Sequence, residues 1–139
     1  MLFKALILGI LAGFAIWDGR VCGQHMFDRP IVTGPIVGLI LGDVHTGIVM
    51  GASLELVMMG IVGIGAATPP DVVSGGILAT AFAIMSGLDM DAAVALSLPI
   101  ATLAQSVGIL DRTINTTFLH WADKAAEEGD YKGISKALW

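Results

Sequence analysis

The sequence predicts an all-α membrane protein with several membrane segments, and its composition carries that prediction. Hydrophobic residues make up 55% of the 139 residues, charged residues make up 14%, and the mean hydropathy is +0.83. These values are more apolar than those of an ordinary soluble domain of this size. Aromatic residues contribute only 6%, so the composition suits helices packed in a bilayer better than a small β-barrel with aromatic girdles.

The charged residues are distributed unevenly along the chain. No lysine or arginine lies between Arg29 and Arg112, and all formal charges in that region are acidic. The acids are Asp43, Glu55, Asp71, Asp89, Asp91 and Asp111. The formal net charge is -5, and the few cations form no basic stripe with interleaved aromatic residues. We therefore expect no binding of nucleic acid.

A series of apolar stretches precedes the polar C-terminal part. They are Leu2–Trp17, Ile31–Gly42, Thr46–Ala67, Val72–Leu88 and Ala92–Leu110. A helix needs about 20 apolar residues to cross a bilayer. We therefore expect Thr46–Ala67 and Ala92–Leu110 to be long enough and Ile31–Gly42 to be too short. The first stretch superficially resembles a signal peptide, but no cleavage site with a polar region follows it, so we expect a retained membrane segment.

The short stretch Ile31–Gly42 has features of an interrupted helix. Pro30 and Asp43 flank it, and Pro35 lies within it. These features favour a broken or re-entrant helix over a spanning one. Non-helical backbone is tolerated at membrane depth only where it is buried in protein or faces a watery cavity. The break therefore indicates a transport site.

Glycines recur at helical spacing in two neighbouring segments. Gly34, Gly38 and Gly42 lie in one segment, and Gly47 and Gly51 lie in the next. Small residues at this spacing let helices approach closely, so the pattern predicts packing between helices and not a ligand site.

A later glycine cluster predicts the end of a helix. Gly60, Gly63 and Gly65 lead into the sequence Ala66-Ala67-Thr68-Pro69-Pro70-Asp71. This combination predicts an unwound segment. Asp71 is then expected to open the next helix as its N-terminal cap.

The segment Thr113–Lys136 mixes acids and lysines with apolar residues, and we expect it to lie in water or at the membrane interface. Its early turns carry three candidate headgroup anchors: Phe118, Leu119 and Trp121. Residues 1–111 are thus predicted to hold the membrane segments, and residues 112–139 an amphipathic interfacial or cytoplasmic segment. The cations in this part favour the cytoplasmic side for this end.

Glu55 is the most prominent ionisable residue in the apolar stretches. It lies near the middle of Thr46–Ala67, and no cation is close to it in the sequence. A charged side chain inside a membrane helix costs about 2.5–3.5 kcal/mol on insertion scales, so it is a functional candidate. It either accepts hydrogen bonds from a substrate's hydroxyl groups, or it bonds to a protein donor and holds two helices together.

Three further polar residues allow two interpretations each. Asp43 and Asp71 both precede a predicted helix, so each either caps that helix or contacts the substrate. Gln105 lies within Ala92–Leu110, where its amide suits a hydroxyl-rich ligand and an interhelical hydrogen bond equally well.

The residue patterns of catalytic and metal sites are missing from the sequence. Cys22 is the only cysteine, which excludes an internal disulfide and a cysteine zinc cluster. His25, His45 and His120 are not spaced like metal ligands, so we expect no metal site and no cofactor. The sequence has no nucleophile paired with a base, no Walker-type phosphate loop and no Gly-x-Ser-x-Gly motif. We therefore expect no catalytic residue.

Several motifs in a fixed order indicate a family. They are Asp28-Arg29-Pro30, Gly38-Leu39-Ile40-Leu41-Gly42-Asp43-Val44-His45-Thr46-Gly47, Gly51-Ala52-Ser53-Leu54-Glu55-Leu56-Val57, Gly65-Ala66-Ala67-Thr68-Pro69-Pro70-Asp71 and Ala122-Asp123-Lys124-Ala125-Ala126. In order and spacing, over most of the chain, the sequence resembles the IIC permease subunit of the mannose, fructose and sorbose class of the phosphotransferase system.

The resemblance implies a sugar permease subunit that crosses the bacterial inner (cytoplasmic) membrane several times. It implies a IID membrane subunit, a homo-oligomer of the IIC–IID complex, and cytoplasmic IIA/IIB phosphocarriers that phosphorylate the sugar as it crosses. The sugar is a hexose or an amino-hexose, and N-acetylated hexosamines, mannose, fructose and sorbose all remain open. By position, Glu55 and Asp71 are the first candidates to bind sugar, followed by Asp43, Gln105 and Arg29.

The chain departs from the family in length. Family members run to roughly twice this length, so we expect a truncated N-terminal half that lacks the second half of the membrane domain. It is then a fragment that needs its missing half, a part of a split permease, or a non-transporting remnant that acts only as a membrane interaction protein. An unrelated helical channel would explain the glycines but not the motifs.

Overall fold

All regular secondary structure in the part of the chain that the structure describes is helical. The computed structural model describes residues 2–23, 25–64 and 67–138. The helices in these ranges are α1 Leu2–Trp17, α2 Pro30–Leu41, α3 Val44–Met58, α4 Val72–Ser86, α5 Met90–Glu127 and α6 Tyr131–Leu138. A π-helical turn, Asp18–Cys22, continues α1. The predicted all-α class with broken membrane helices is confirmed.

The observed helices agree with most of the predicted apolar stretches, and the third stretch is the exception. Helix α3 ends at Met58, and residues 61–64 and 67–71 are not helical. The prediction that Thr46–Ala67 is long enough to cross the membrane as a helix is therefore wrong, because the glycines from Gly60 onward disfavour helix. The predicted unwound segment before Asp71 is confirmed for the described residues, and Gly65 lies outside them.

Two helical segments among the described residues are long and apolar enough to cross a membrane by length and composition, Leu2–Cys22 and Met90–Glu127. Helices α2, α3 and α4 are also apolar but contain only 12, 15 and 15 residues. Because a crossing takes about 20 residues, the prediction that Ile31–Gly42 is too short is confirmed.

Helices α2 and α3 form an antiparallel hairpin in which backbone packs against backbone. A Cβ atom added to Gly34 would lie 2.6 Å from Cα of Gly51 and 2.7 Å from the carbonyl oxygen of Gly47. A Cβ atom added to Gly38 would lie 3.0 Å from Cα of Gly47. Such distances leave no space for a side chain, so this approach requires glycine. The predicted packing role of these four glycines is confirmed.

Gly42 has a different role from the other glycines of the hairpin. It follows α2 with a φ of 96°, and its N–H donates to the carbonyl oxygen of Gly38 at 2.8 Å. A Cβ atom added here would meet no atom within 4 Å. The expectation that Gly42 serves helix packing is therefore wrong, because this position needs glycine for its left-handed backbone.

Helix α4 is buried on two sides and lies at the centre of the helix packing. One side contributes Val73, Ile77 and Ala81 to an apolar core that it shares with α1 and α2. The other side contributes Ala79 and Ala83 to a core that it shares with α3 and the start of α5. The hairpin is thus held in place by a helix whose own small residues permit close contact.

The chain divides into two compact units, Met1–Gln105 and Ser106–Trp139. In the second unit, α5 continues without interruption to Glu127, and a turn at Gly129 leads to α6. The carboxylate of Asp130 accepts a hydrogen bond from the N–H of Lys132 at 3.1 Å and caps α6. The mixed segment of the sequence is therefore mostly helical.

Candidate functional site

Arg29 and Glu55 form an ion pair that joins the start of α2 to the end of α3. Nε and Nη2 of Arg29 both donate to Oε1 of Glu55, and the Nε contact is 2.8 Å long. The two side chains are 22% and 19% exposed. The pair is thus largely shielded from solvent, where each partner is costly to leave alone.

Glu55 also accepts a hydrogen bond from the first turn of α2. Pro30 occupies the first helical position, where its fixed φ and its missing N–H are well tolerated. The N–H of Ile31 has no partner inside the helix, and it donates to Oε2 of Glu55 at 3.3 Å. The observed contacts match the interpretation in which Glu55 holds two helices together, and its role in binding stays a prediction.

The unwound segment before α4 is attached to α5 by hydrogen bonds. The N–H of Asp71 donates to the carbonyl oxygen of Ala101 at 3.0 Å. Nε2 of Gln105 donates to the carbonyl oxygen of Thr68 and lies 3.2 Å from the hydroxyl of the same residue. Gln105 therefore bonds to this segment and so sets its position along α5.

Asp71 and Asp43 both cap helices, as predicted. The carboxylate of Asp71 accepts from the N–H of Val73 at 3.2 Å and from the hydroxyl of Ser74 at 2.5 Å. The carboxylate of Asp43 accepts from the N–H of Thr46 at 3.0 Å and from its hydroxyl at 2.5 Å. Each carboxylate satisfies an N–H that the helix start leaves unpaired, so both predicted capping roles are confirmed.

One end of the hairpin collects most of the candidate residues. The first turns of α4 pack against Pro30 at the start of α2 and against Met58 at the end of α3. We call the four polar residues at this end the open-end cluster: Arg29, Glu55, Asp71 and Gln105. Asp43 lies in the turn at the other end of α2, about 18 Å away along its 12 residues. The structure therefore does not place Asp43 with the other four candidates.

Asp18 is a buried carboxylate that the sequence analysis missed. It is 3% exposed and accepts hydrogen bonds from the N–H of His25 at 3.0 Å and from the N–H of Phe27 at 3.4 Å. Nδ1 of His25 lies 2.8 Å from its other oxygen. The available signal was an acid directly after an apolar helix, where an unpaired charge would be costly. These bonds shape the loop that leads to Arg29.

The sequence and the fold agree with a known family. The model of a family described as the sorbose-specific IIC component of the phosphotransferase system matches residues 2–139. The chain belongs to this family. The chain is 37% identical over 129 residues to the mannose-specific EIIC component of Escherichia coli K12. This match covers 93% of the chain and 47% of that relative. It thus spans about half the length of that relative.

Two further comparisons extend the agreement. The IIC component is 48% identical over 104 residues to the putative N-acetylgalactosamine permease IIC component 2 of Escherichia coli K12, covering 75% of the chain and 77% of that relative. It superposes with a TM-score of 0.82 and 35% identity on a chain in the solved structure of the mannose transporter ManYZ with microcin E492. This match covers 99% of the IIC component and 55% of that chain. The family that the sequence motifs indicated is confirmed.

The open-end cluster of this IIC component offers groups that recognise hydroxyls. A carboxylate can accept about four hydrogen bonds, and Glu55 receives three from Arg29 and Ile31. Glu55 can therefore accept one more hydrogen bond without losing its partner. A cluster with two carboxylates, a guanidinium and an amide can both accept from and donate to a polyhydroxylated ligand.

We predict that replacing Gln105 by leucine loosens the unwound segment. Both hydrogen bonds to Thr68 would be lost, which costs about 1–2 kcal/mol and leaves the carbonyl oxygen unpaired. Hydrogen–deuterium exchange at the Asp71 amide should then become roughly tenfold faster. Thr68→Val is the matched control, because it removes the hydroxyl but keeps the carbonyl bond and should cause a clearly smaller change. Equal effects of the two variants would contradict the view that Gln105 holds the segment mainly through the carbonyl oxygen of Thr68.

Proposed function

We propose that this IIC component is the sugar-translocating membrane part of a phosphotransferase permease. It carries a hexose or an amino-hexose across the membrane while IIA/IIB phosphocarriers phosphorylate the sugar. The observation that supports this best is the open-end cluster, because its side chains are of the types that bind hydroxyls and two of them, Asp71 and Gln105, adjoin the unwound segment. Irregular backbone next to short, broken helices is where transporters of small polar solutes build their sites.

The sugar that we propose is an N-acetylated amino-hexose. The support is the relative with 48% identity, which is named a putative N-acetylgalactosamine permease component. Mannose, fructose and sorbose are the competing substrates, because other relatives carry mannose, sorbose and fructose in their names.

The proposed partner is a IID membrane subunit, in a complex that forms homo-oligomers in the cytoplasmic membrane of a bacterium. The likeness to a chain of the ManYZ transporter supports this partner. We propose that residues 1–111 hold the multi-pass membrane part and residues 112–139 the interfacial or cytoplasmic segment. With 38 residues, α5 has more residues than the roughly 20 that one crossing needs.

A second candidate is a chain that does not transport without additional sequence. The match covers 47% of the mannose-specific relative, and permeases built from two related halves place the site between them. In this alternative the chain acts only as a membrane interaction protein, or it needs a separate second half.

Phosphoenolpyruvate-dependent uptake distinguishes these candidates. Cells that lack other permeases would express the chain alone, with a IID partner, and with that partner plus the second half of the mannose-specific relative. Labelled N-acetylgalactosamine, mannose, fructose and sorbose would be offered to each strain. We expect uptake of N-acetylgalactosamine only when the IID partner is present. Uptake that also needs the second half, or no uptake by a chain shown to be in the membrane, would support the second candidate.

The two capping aspartates provide a matched test of the site. Asparagine caps helices about as well as aspartate, so Asp71→Asn and Asp43→Asn should both leave the protein folded. Asp71 lies in the open-end cluster, and losing a charged acceptor there should raise the KM for uptake about tenfold. Asp43→Asn should leave the KM unchanged, because it lies at the far end of the hairpin. Equal KM values for the two variants would remove Asp71 from the proposed site.

A further inference from the structure

A groove on the surface of the first unit has the shape and chemistry of a lipid site. It runs between α1 and α4 and has a volume of about 470 Å³. Its walls are apolar and include Ala5, Leu8, Gly9, Leu78, Phe82 and Met85. Exposed apolar side chains surround it, with Leu78 at 41% and Phe82 at 45% exposure. In water such a surface would be costly, but in a bilayer it meets lipid chains.

The polar residues of the groove exclude a sugar as its occupant. Only Lys4 and Ser74 among its lining residues are polar. The hydroxyl of Ser74 already donates to Asp71. A ligand with many hydroxyl groups would therefore find no partners along the walls and would lose its bonds to water.

Lys4 supplies a positive charge at the groove. It lines the groove and also a second depression with Leu41, Ile84 and Met85, where α2 and α4 end. Among the described residues it has neither an ion pair nor a hydrogen-bonding partner. An unpaired lysine at the end of an apolar helix lies at headgroup depth and attracts anionic lipid.

We propose that the α1–α4 groove binds one acyl chain of an anionic phospholipid and that Lys4 binds the phosphate of its headgroup. An acyl chain fills the apolar walls, and the phosphate neutralises the lysine. A helix of another protein would cover the apolar walls equally well, but it would need a carboxylate at this depth to meet Lys4. The proposal concerns lipid retention and does not depend on the sugar that the permease carries.

Two glycines of α1 allow a matched test of the groove. A Cβ atom added to Gly9 or to Gly13 meets no protein atom within 4 Å. Gly9 lines the groove and Gly13 does not. Gly9→Leu should therefore fill the groove without disturbing the protein, and Gly13→Leu should place the same side chain elsewhere on the same helix.

The experiment is native mass spectrometry of the purified chain with phosphatidylglycerol and phosphatidylethanolamine of identical acyl chains. Wild type should prefer phosphatidylglycerol about fivefold, the change that corresponds to the roughly 1 kcal/mol of attraction of one surface lysine. Lys4→Gln should abolish this preference, whereas Lys132→Gln, a lysine outside the groove, should preserve it. Gly9→Leu should reduce retention of both lipids at least fivefold, and Gly13→Leu should not.

Three results of the lipid measurement would overturn the proposal. They are a wild type without headgroup preference, a Lys4→Gln variant that behaves like Lys132→Gln, and a Gly9→Leu variant that behaves like Gly13→Leu. Loss of a co-purifying membrane protein in Gly9→Leu, with lipid retention unchanged, would also overturn it and would assign the groove to a partner helix. Circular dichroism of all four variants confirms that each is folded.

Discussion

Gly34→Ala should force α2 and α3 apart and remove most of the folded protein from the membrane. The new methyl group would lie 2.6 Å from Cα of Gly51 and 2.7 Å from the carbonyl oxygen of Gly47. Both obstacles are backbone atoms, so no side chain can rotate away and the whole helix must shift. Overpacking of this kind costs about 3 kcal/mol, the upper part of its usual range.

The measurement is the amount of protein in the membrane fraction together with its thermal unfolding in detergent. Gly13→Ala is the matched control, because a Cβ atom there meets no atom within 4 Å and alanine is the better helix former. We expect the control to equal or exceed wild type in both measurements. If Gly34→Ala were as abundant and as stable as Gly13→Ala, the close contact of the hairpin would be wrong.

Breaking the Arg29–Glu55 pair should have a comparably large effect. Glu55→Leu leaves Arg29, whose side chain is 22% exposed, without its carboxylate partner. It also removes the acceptor of the Ile31 N–H. Removing one partner of a buried pair costs about 3–5 kcal/mol, and for this half-buried pair we expect the lower end of that range. We therefore expect the single variant to be present at a small fraction of the wild-type amount, measured in the membrane fraction.

The double variant Arg29→Met with Glu55→Leu separates stability from binding. It leaves no stranded charge, and replacing a buried ion pair by apolar residues is often neutral or stabilising. Abundance should therefore recover, whereas sugar uptake should stay lost if Glu55 is the hydroxyl-binding carboxylate that we propose. Recovery of both quantities would reduce Glu55 to a structural residue, and failure of abundance to recover would show that the charges themselves are needed for folding.

The close glycine contact of the hairpin and the Arg29–Glu55 pair differ in how far the sequence could predict them. The glycine spacing predicted close packing, because a period of four residues places glycines on one face of a helix. It could not exclude Gly42 from that face, since only the observed end of α2 shows that this glycine forms the turn. The length of α3 was predictable only in part, because the glycine cluster from Gly60 indicates a helix end whereas hydropathy continues through Ile61 and Val62.

The sequence also could not predict which distant residues pair with Glu55 and Asp18. Glu55 has no cation close to it in sequence, and its partner lies 26 residues away. Asp18 bonds to residues seven and nine positions later, across a loop with no recognisable pattern. Local signals identify the costly charge, but only the packing of separate segments determines which donor satisfies it.

From the sequence alone follow the membrane class, the all-α fold, the short broken segment, the two aspartate caps and the family, because these depend on composition, local spacing and motif order. The tertiary structure decided which candidates share one end of the hairpin. Arg29 pairs with Glu55 there, Asp71 and Gln105 lie where the start of α4 packs against that end, and Asp43 lies about 18 Å away along α2. The reason is physical. A helix cap is a contact between neighbours in sequence, whereas a cluster of distant residues depends on how separate helices align. For α2 and α3 that alignment is set by backbone contacts between glycines.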